Sequence, residues 1–398
     1  MAREKYQGMI TLHRVMKKLA AALASGVLSW SVGVSAAQGQ IDRGSAGKHS
    51  TVIVSEVLTG LDHPWSLAFL PDGSSALITE QTGQLRLWQA DHGLSEPIEG
   101  VPKVYTRWQG GLLDVALAPD FAQNRHVYLS YAEEGKEGRA GTAVGYGRLS
   151  DNKRRLEDFT VIFRQQPKLS SGAHFGSRLV FDRQGYLFIA LGENNQRSTS
   201  QDLDKLQGKI VRLHADGRVP ADNPFVDNSQ ARPEIWSYGH RNQQGAALNP
   251  WTGQLWTHEH GPRGGDEINL PQAGKNYGWP LATYGINYSG LDIPEAEGTH
   301  KEGTEQPHYY WKVSPAISGM AFYNADLFPA WKHSLFIGAL KEEALIRLTL
   351  KGDQVVSEER LLEDRDERIR DVRVGPDGYV YVLTDEAEGK LLRIGLKE

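Results

Sequence analysis

Five polar loops of this chain carry side chains able to do chemistry, and they stand at equivalent places beside apolar runs. Gln109 lies in Trp108-Gln109-Gly110-Gly111, His174 in Ser170-Ser171-Gly172-Ala173-His174-Phe175-Gly176, and Arg241 with Asn242 in Tyr238-Gly239-His240-Arg241-Asn242-Gln243-Gln244-Gly245. Lys341 follows Phe336-Ile337-Gly338-Ala339-Leu340, and Arg368 and Arg370 fall in Glu367-Arg368-Ile369-Arg370-Asp371-Val372. A neutral imidazole is a competent base near neutral pH. Cations gathered at one place are costly without an anion, and Arg offers a planar donor fork suited to carboxylate while Lys adds a point charge. The set therefore reads as a base beside a multiply charged carboxylate ligand, with Gly110-Gly111 letting backbone approach a flat group. Taken singly, each residue has an ordinary alternative: a structural loop histidine, a surface ion pair. Arg365 and Arg373, among Glu363, Asp364, Asp366 and Glu367, are assigned to a solvated charged loop.

A second constellation is Glu259-His260-Gly261-Pro262-Arg263-Gly264-Gly265-Asp266-Glu267-Ile268-Asn269, followed by Gly274-Lys275-Asn276-Tyr277-Gly278-Trp279-Pro280. Hard cations want oxygen ligands from carboxylates and from carbonyls of tightly turned backbone, and this stretch supplies both. Its acid spacing is not that of an EF-hand. The alternative is a tight turn in which Asp266 and Glu267 cap neighbouring amides.

The elements that must position these loops are short strands rich in Val, Ile, Leu, Tyr and Phe, punctuated by Gly, Asp, Asn and Pro. An apolar strand, a polar turn and a second apolar strand recur six times. The copies begin at Ser66, Leu113, Arg178, Ala246, Gly319 and Val372, spaced by roughly 50 to 75 residues, with the excess length in Gly-rich polar stretches. The pattern predicts an all-β, six-bladed β-propeller whose ring is closed by Thr51-Val52-Ile53-Val54-Ser55 pairing with the last blade, leaving fewer open edges. The alternative, two packed β-sandwich domains, finds no linker in the sequence.

Lys17-Lys18 precede a short apolar run from Leu19 to Leu28, and Val34-Ser35-Ala36 offers a cleavage site, so residues 1–37 read as a cleaved signal peptide and 38–398 as one propeller domain. An uncleaved anchor is the alternative. No later segment is a transmembrane candidate. The chain has 398 residues, no cysteine and a formal net charge of −5. Thiolate chemistry and disulfides are thereby excluded, and nucleic acid is disfavoured as a partner.

Together His174 in its Gly-rich loop, Gly239-His240-Arg241-Asn242, the Glu259–Asn269 stretch, Asn276-Tyr277-Gly278-Trp279-Pro280 and Arg368-Ile369-Arg370-Asp371 resemble the soluble quinoprotein aldose and glucose dehydrogenases, nearest their bacterial periplasmic aldose sugar branch. The resemblance runs from about Leu61 to the end. It implies a periplasmic or secreted enzyme that oxidises aldose sugars with PQQ and Ca2+ and passes electrons to an external acceptor. His174 would then be the general base and Arg241 would stabilise charge on the reduced quinone. Gln109, Arg241, Asn242, Tyr288, Lys341, Arg368 and Arg370 would hold PQQ. The carbonyls of Gly261 and Pro262 would bind the calcium beside it, and Glu267 and Tyr277 a second, structural calcium. Two departures stand out. Gln243 occupies a place where many relatives have Pro, which would loosen the turn holding Arg241, and Ala173 and Phe175 match the broad-specificity branch. The rivals are a calcium-dependent propeller lactonase, which would need acidic and Asn ligands at the axis, and a non-catalytic sugar-binding propeller using Trp108, Trp279 and Trp311.

Overall fold

A computed structural model describes residues 52–397, and the expected signal peptide and Thr51 lie outside these residues. Six four-stranded antiparallel sheets follow one another along the chain. Their first strands are Pro64–Phe69, Leu112–Leu117, Gly176–Phe181, Gln243–Leu248, Ile317–Tyr323 and Ile369–Val374, each packed against the next around a central axis. The sixth blade takes its outermost strand from the front of the described chain, Val52–Leu61, which pairs with Gly389–Leu396 from Val52 opposite Leu396 onward. The six predicted blades and the predicted closing strand are thus both present.

The sequence repeat has a local cause. In the turn after the first strand of blades one, three and four, an Asp or Asn side chain accepts the backbone N–H groups just beyond it, which reverses the chain without a partner strand. Asp72 Oδ1 takes Ser74 and Ser75, Asp182 Oδ1 takes Gln184 and Tyr186, and Asn249 Oδ1 takes Trp251 and Thr252, all at 2.9–3.1 Å. The core is correspondingly divided. Each pair of neighbouring blades encloses its own apolar layer, such as Leu77, Leu112 and Leu129 between blades one and two, and Trp256, Ile317 and Leu335 between four and five.

Every first strand also breaks register near its head. The shifts fall between Pro64 and Ser66, Leu112 and Val115, Gly176 and Leu179, Gln243 and Gly245, Ile317 and Met320, and Ile369 and Asp371. A bulge re-aims the side chains it contains. Here the bulged segments include Asp114, Arg178, Gln244 and Arg370, four polar residues on the axis.

Two of them, Asp114 and Arg178, form a closed set of charges with Asp371 and Arg373. Arg178 reaches Asp114 at 3.1 Å and Asp371 at 2.9 Å, and Arg373 reaches the same two carboxylates at 3.3 and 3.1 Å. Asp371 also accepts the Leu67 N–H of blade one (3.0 Å), Asp114 accepts Leu179 of blade three (2.8 Å), and Arg178 Nε donates to the Gln244 carbonyl of blade four (2.7 Å). Arg373 therefore does not belong to the solvated loop assigned to it. Its place on the first strand of blade six points it inward, whereas Arg365 meets Glu367 and Glu56 as a charged-loop residue would.

Removing one partner from a buried ion set leaves uncompensated charge, at a cost of about 3–5 kcal/mol. Arg178→Met is expected to lower unfolding stability by that order, measured by urea denaturation. An unaltered midpoint would show that Arg373 alone neutralises both carboxylates.

Candidate active site

In each antiparallel sheet the start of the first strand and the end of the second lie at the same end of the axis, so loops leaving these two points surround one mouth. Gln109, His174, Arg241, Asn242 and Arg368 immediately precede first strands and Arg370 is the second residue of one, whereas Lys341 follows the second strand of blade five, Ser334–Ala339. The structure brings these seven together.

His174 sits in a left-handed backbone conformation (φ 51°) between two left-handed glycines, Gly172 and Gly176. Its N–H donates to Gln109 Oε1 (2.8 Å), and its carbonyl accepts Asn194 Nδ2 (3.2 Å). Its Nδ1 lies 2.6 Å from Glu193 Oε2. Burial alone would raise the Glu193 carboxyl, but the attraction of His174 and Arg241, with the Asn195 N–H, holds it below its ordinary value. An ionised Glu193 accepts a hydrogen bond, so Nδ1 carries the proton and Nε2 is left as the basic nitrogen.

Arg241 occupies the next loop. Its Nη1 donates to the carbonyls of His260 (2.9 Å) and Gly261 (2.8 Å), its backbone N–H donates to the Glu259 carboxylate, and its guanidinium lies 5.2 Å from the Trp279 ring centroid. Its Nε is buried without a partner. Asn242 Oδ1 accepts the Gly176 N–H (3.3 Å) and Gln244 Nε2 (3.2 Å), and Gln244 Oε1 in turn accepts Arg370 Nη1 (3.3 Å). Arg368 and Arg370 share Asp385, at 2.7 and 3.1 Å. Burial would raise that carboxyl, yet Arg370 and Arg368 hold it well below the usual carboxylate range. Arg368 also donates to the Leu340 carbonyl (3.0 Å), beside exposed Lys341, whose Nζ reaches the Ser314 carbonyl (3.2 Å). The ring closes through Ser314 Oγ, Asp266 and the Gly261 N–H.

Tyr288 is the exception. It stands 75% exposed in the loop after Gly285, and no recorded hydrogen bond or ring contact joins it to the others. Gln243 does not loosen its turn: it is fully buried, pairs in register with Glu259 and donates to the Lys209 carbonyl (3.4 Å).

The Gly261–Glu267 turn is built for close backbone approach. Gly264 and Gly265 are left-handed, and a Cβ on Gly261 would meet the Gly264 carbonyl at 2.1 Å. Beneath it, Asn269 Nδ2 donates to both Glu259 (3.1 Å) and Glu267 (2.9 Å), while Asn269 Oδ1 is buried without a partner. Burial and then the charge of Glu259 push the Glu267 carboxyl well above its ordinary range. Tyr277 stacks on His240 (4.8 Å) and donates to the Leu270 carbonyl (2.7 Å). Among the described residues no three His, Cys, Asp or Glu side chains converge as a metal cage, so a cation here would need carbonyl and amide oxygens besides a carboxylate such as Glu267.

Glu193 and Asp385 were not singled out from the sequence. Both stand just past a second strand, in Gly192-Glu193-Asn194 and Thr384-Asp385, so the positional rule that found the other residues would have reached them had it been applied to both loop sets.

Because the folded value of Glu193 lies below its ordinary 4.5, its stabilising effect is present above that pH and is lost as pH falls through the folded value. The stability gap between the parent chain and Glu193→Gln, read as thermal midpoints, should be full at pH 7 and close on acidification. A gap that stays constant would mean that Glu193 is not held as a carboxylate.

The sequence profile of the Glucose / Sorbosone dehydrogenase family matches residues 61–393. The aldose sugar dehydrogenase YliI of Escherichia coli (strain K12) is 65% identical over 345 residues, 87% of this chain and 93% of that protein. The crystal structure of the soluble aldose sugar dehydrogenase from Escherichia coli in its apo-form superposes with a TM-score of 0.86 at 64% identity, covering 87% of this chain and 100% of that one. The PQQ-bound aldose sugar dehydrogenase of Streptomyces coelicolor superposes with a TM-score of 0.72 at 28% identity, covering 87% and 98%.

Proposed function

The chain belongs to the Glucose / Sorbosone dehydrogenase family and is an aldose sugar dehydrogenase, and on that premise we propose that it oxidises the anomeric carbon of aldoses to the lactone with PQQ and Ca2+, using His174 as base. The observation that carries this reading is a single imidazole, fixed through Nδ1 by Glu193, in one hydrogen-bonded ring with the cations Arg241, Lys341, Arg368 and Arg370.

The residues present fit the two absent groups. Arg241 has a buried Nε without a partner, Lys341 donates to a carbonyl, and Arg368 and Arg370 meet at Asp385, so an anion rich in carboxylates would find donors from three blades. Gln109, Asn242 and Tyr288 would supply the remaining contacts. The carbonyls of Gly261 and Pro262 would hold the ion beside the cofactor. A second, structural ion at Glu267 and Tyr277 would relieve the repulsion between Glu259 and Glu267 and use the idle Asn269 Oδ1. When bound, PQQ supplies a quinone able to accept hydride from the anomeric carbon, and Ca2+ a Lewis acid for its carbonyl.

The chain's own residues perform the proton half of the reaction. His174 Nε2 removes the anomeric hydroxyl proton, and the imidazolium formed is stabilised by Glu193, which also fixes the tautomer. Gln109 and Asn194 hold the His174 backbone, so the imidazole is presented without a search through loop conformations. Ala173 and Phe175, beside the base, support a broad choice of aldose. The lysine-flanked apolar run before residue 37 supports export to the periplasm or beyond, with an external electron acceptor as partner. No helix among the described residues is long and apolar enough to cross a membrane.

Titrating the cofactor-free chain with PQQ and Ca2+, followed by absorbance and aldose-dependent dye reduction, tests the whole reading; lactone hydrolysis without dye reduction would replace it with a hydrolase. His174→Ala is expected to lower kcat by about 10²–10⁴-fold while PQQ still binds. Equal loss of PQQ binding would make His174 structural. Arg241→Ala should weaken both PQQ retention and rate, and an unchanged enzyme would remove Arg241 from the site.

A further inference from the structure

Lys209 opens the third strand of blade three, Lys209–His214, at the mouth end, and its side chain is fully buried. Its ammonium donates to the carbonyls of Thr199 (2.9 Å), Ser200 (3.0 Å) and Gln207 (2.7 Å), which uses all three of its N–H groups. Asp202 and Asp204, the acids whose charge reaches it, are paired with Lys205 at 2.6 and 3.6 Å. Tyr238 opposes it in register and Gln243 of blade four donates to its carbonyl, so these two strands bring it no counter-charge. Burial pushes the lysine down from 10.5 to about 7, against the pull of Asp202. A lysine held below its ordinary value weakens the fold, fully so below about pH 7, and the penalty fades as pH rises toward 10.5. Stability is therefore not what this charge supplies.

The three carbonyls belong to the loop between the second and third strands, residues 192–208, which begins with Gly192, Glu193 and Asn194. That loop meets the Arg241 turn at four points. Glu193 N–H donates to the Arg241 carbonyl (2.9 Å), Gly239 N–H to the Ser200 carbonyl (3.0 Å), His240 N–H to the Gly208 carbonyl (3.1 Å) and Ser200 Oγ to the His240 carbonyl (2.8 Å). There is no slack at Gly208, where a Cβ would stand 2.3 Å from the His240 carbonyl. Lys209 ties the short turn Arg197–Ser200 to Gln207 across the loop, and its hold on the Ser200 carbonyl is shared with Gly239 of the next loop.

We propose that Lys209 is a positioning residue for the sugar oxidation: it fixes the loop that presents Glu193 to His174 against the turn that presents Arg241. This rests on the reading of His174 and Arg241 as the reacting site. Lys209 bonds to neither residue and acts through the backbone of both loops. A fully satisfied buried polar group specifies one arrangement of the segments it joins, even where an apolar side chain of similar size would be more stable. Methionine at this position would remove the three donors and the charge together. The Thr199 and Ser200 carbonyls would keep the Asp202 and Gly239 N–H groups, while the Gln207 carbonyl would lose the lysine that holds it. The blade would stand, and the loop would have more than one place to rest.

The test compares the parent enzyme with Lys209→Met, both loaded with PQQ and Ca2+, through kcat and KM for glucose, PQQ titration and the urea midpoint at neutral pH. Lys209→Met should lower kcat by about 10-fold, the scale on which small misplacements of reacting groups act, with KM and PQQ affinity little changed. Its urea midpoint should equal or exceed that of the parent, because the buried charge is gone. An unchanged kcat would overturn the proposal. So would losses of kcat, PQQ affinity and urea midpoint that run together, which would make Lys209 part of the general packing. Crystal structures of the two cofactor-free chains read the positioning without the reaction. A shifted or multiply placed Arg197–Ser200 turn in Lys209→Met, with the Glu193 contact to His174 lengthened, supports the proposal, and superposable loops oppose it. A parent enzyme that oxidises no aldose would instead overturn the underlying function, and the pair of crystal structures would still decide whether Lys209 places the loop.

Discussion

Two arginines and two aspartates buried on the axis set the conditions for everything above them. Asp114, Arg178, Asp371 and Arg373 come from blades two, three and six, and their remaining hydrogen bonds reach blades one and four. Buried charge is tolerable only when paired and hydrogen-bonded. Satisfying these four groups therefore requires five of the six blades to meet at fixed distances. A propeller whose core is divided into six separate apolar layers has few other contacts that fix its centre.

Gln244 transmits that constraint upward. Its carbonyl receives Arg178 from the axial set, its Oε1 receives Arg370, and its Nε2 donates to Asn242. The bulge between Gln243 and Gly245 turns this side chain to face both layers. The loops at the mouth are long, but their ends are held by strands already fixed at the axis, which is how flexible segments come to present His174, Arg241 and Arg370 in one arrangement.

Much of this was legible in the sequence because it is written locally. The paired apolar strands repeat in each blade and the Asp/Asn turns in several, so the six-fold pattern could be counted, and the closing strand followed from the need to cover an edge. Residue types in loops of equivalent position gave Gln109, His174, Arg241, Asn242, Lys341, Arg368 and Arg370. What was not legible depends on register. The bulges carry no composition of their own, so Arg178 read as an ordinary strand residue and Arg373 as a surface charge, although both turn inward. Glu193 and Asp385 look like any loop acid until the fold places each against a cation. Tyr288 shows the opposite limit, since a residue whose place came from resemblance alone stands apart from the ring its companions form.

The contrast between the two charged layers carries the functional argument furthest. At the axis, cations and carboxylates are equal in number and nearly every donor is used. At the mouth, Arg368 and Arg370 meet at Asp385, Lys341 donates to a carbonyl, and Arg241 has a buried Nε bonded to nothing. Glu193, the carboxylate held against the imidazole, is committed to Nδ1. Joined to the axial set through Gln244, these cations are placed to meet a group that enters from solvent, as the proposed function requires. On the proposed reading the entering group is an anion, and the chemistry beside it releases a proton that His174 Nε2 takes. Both conditions describe the oxidation of a sugar hydroxyl next to a polycarboxylate cofactor.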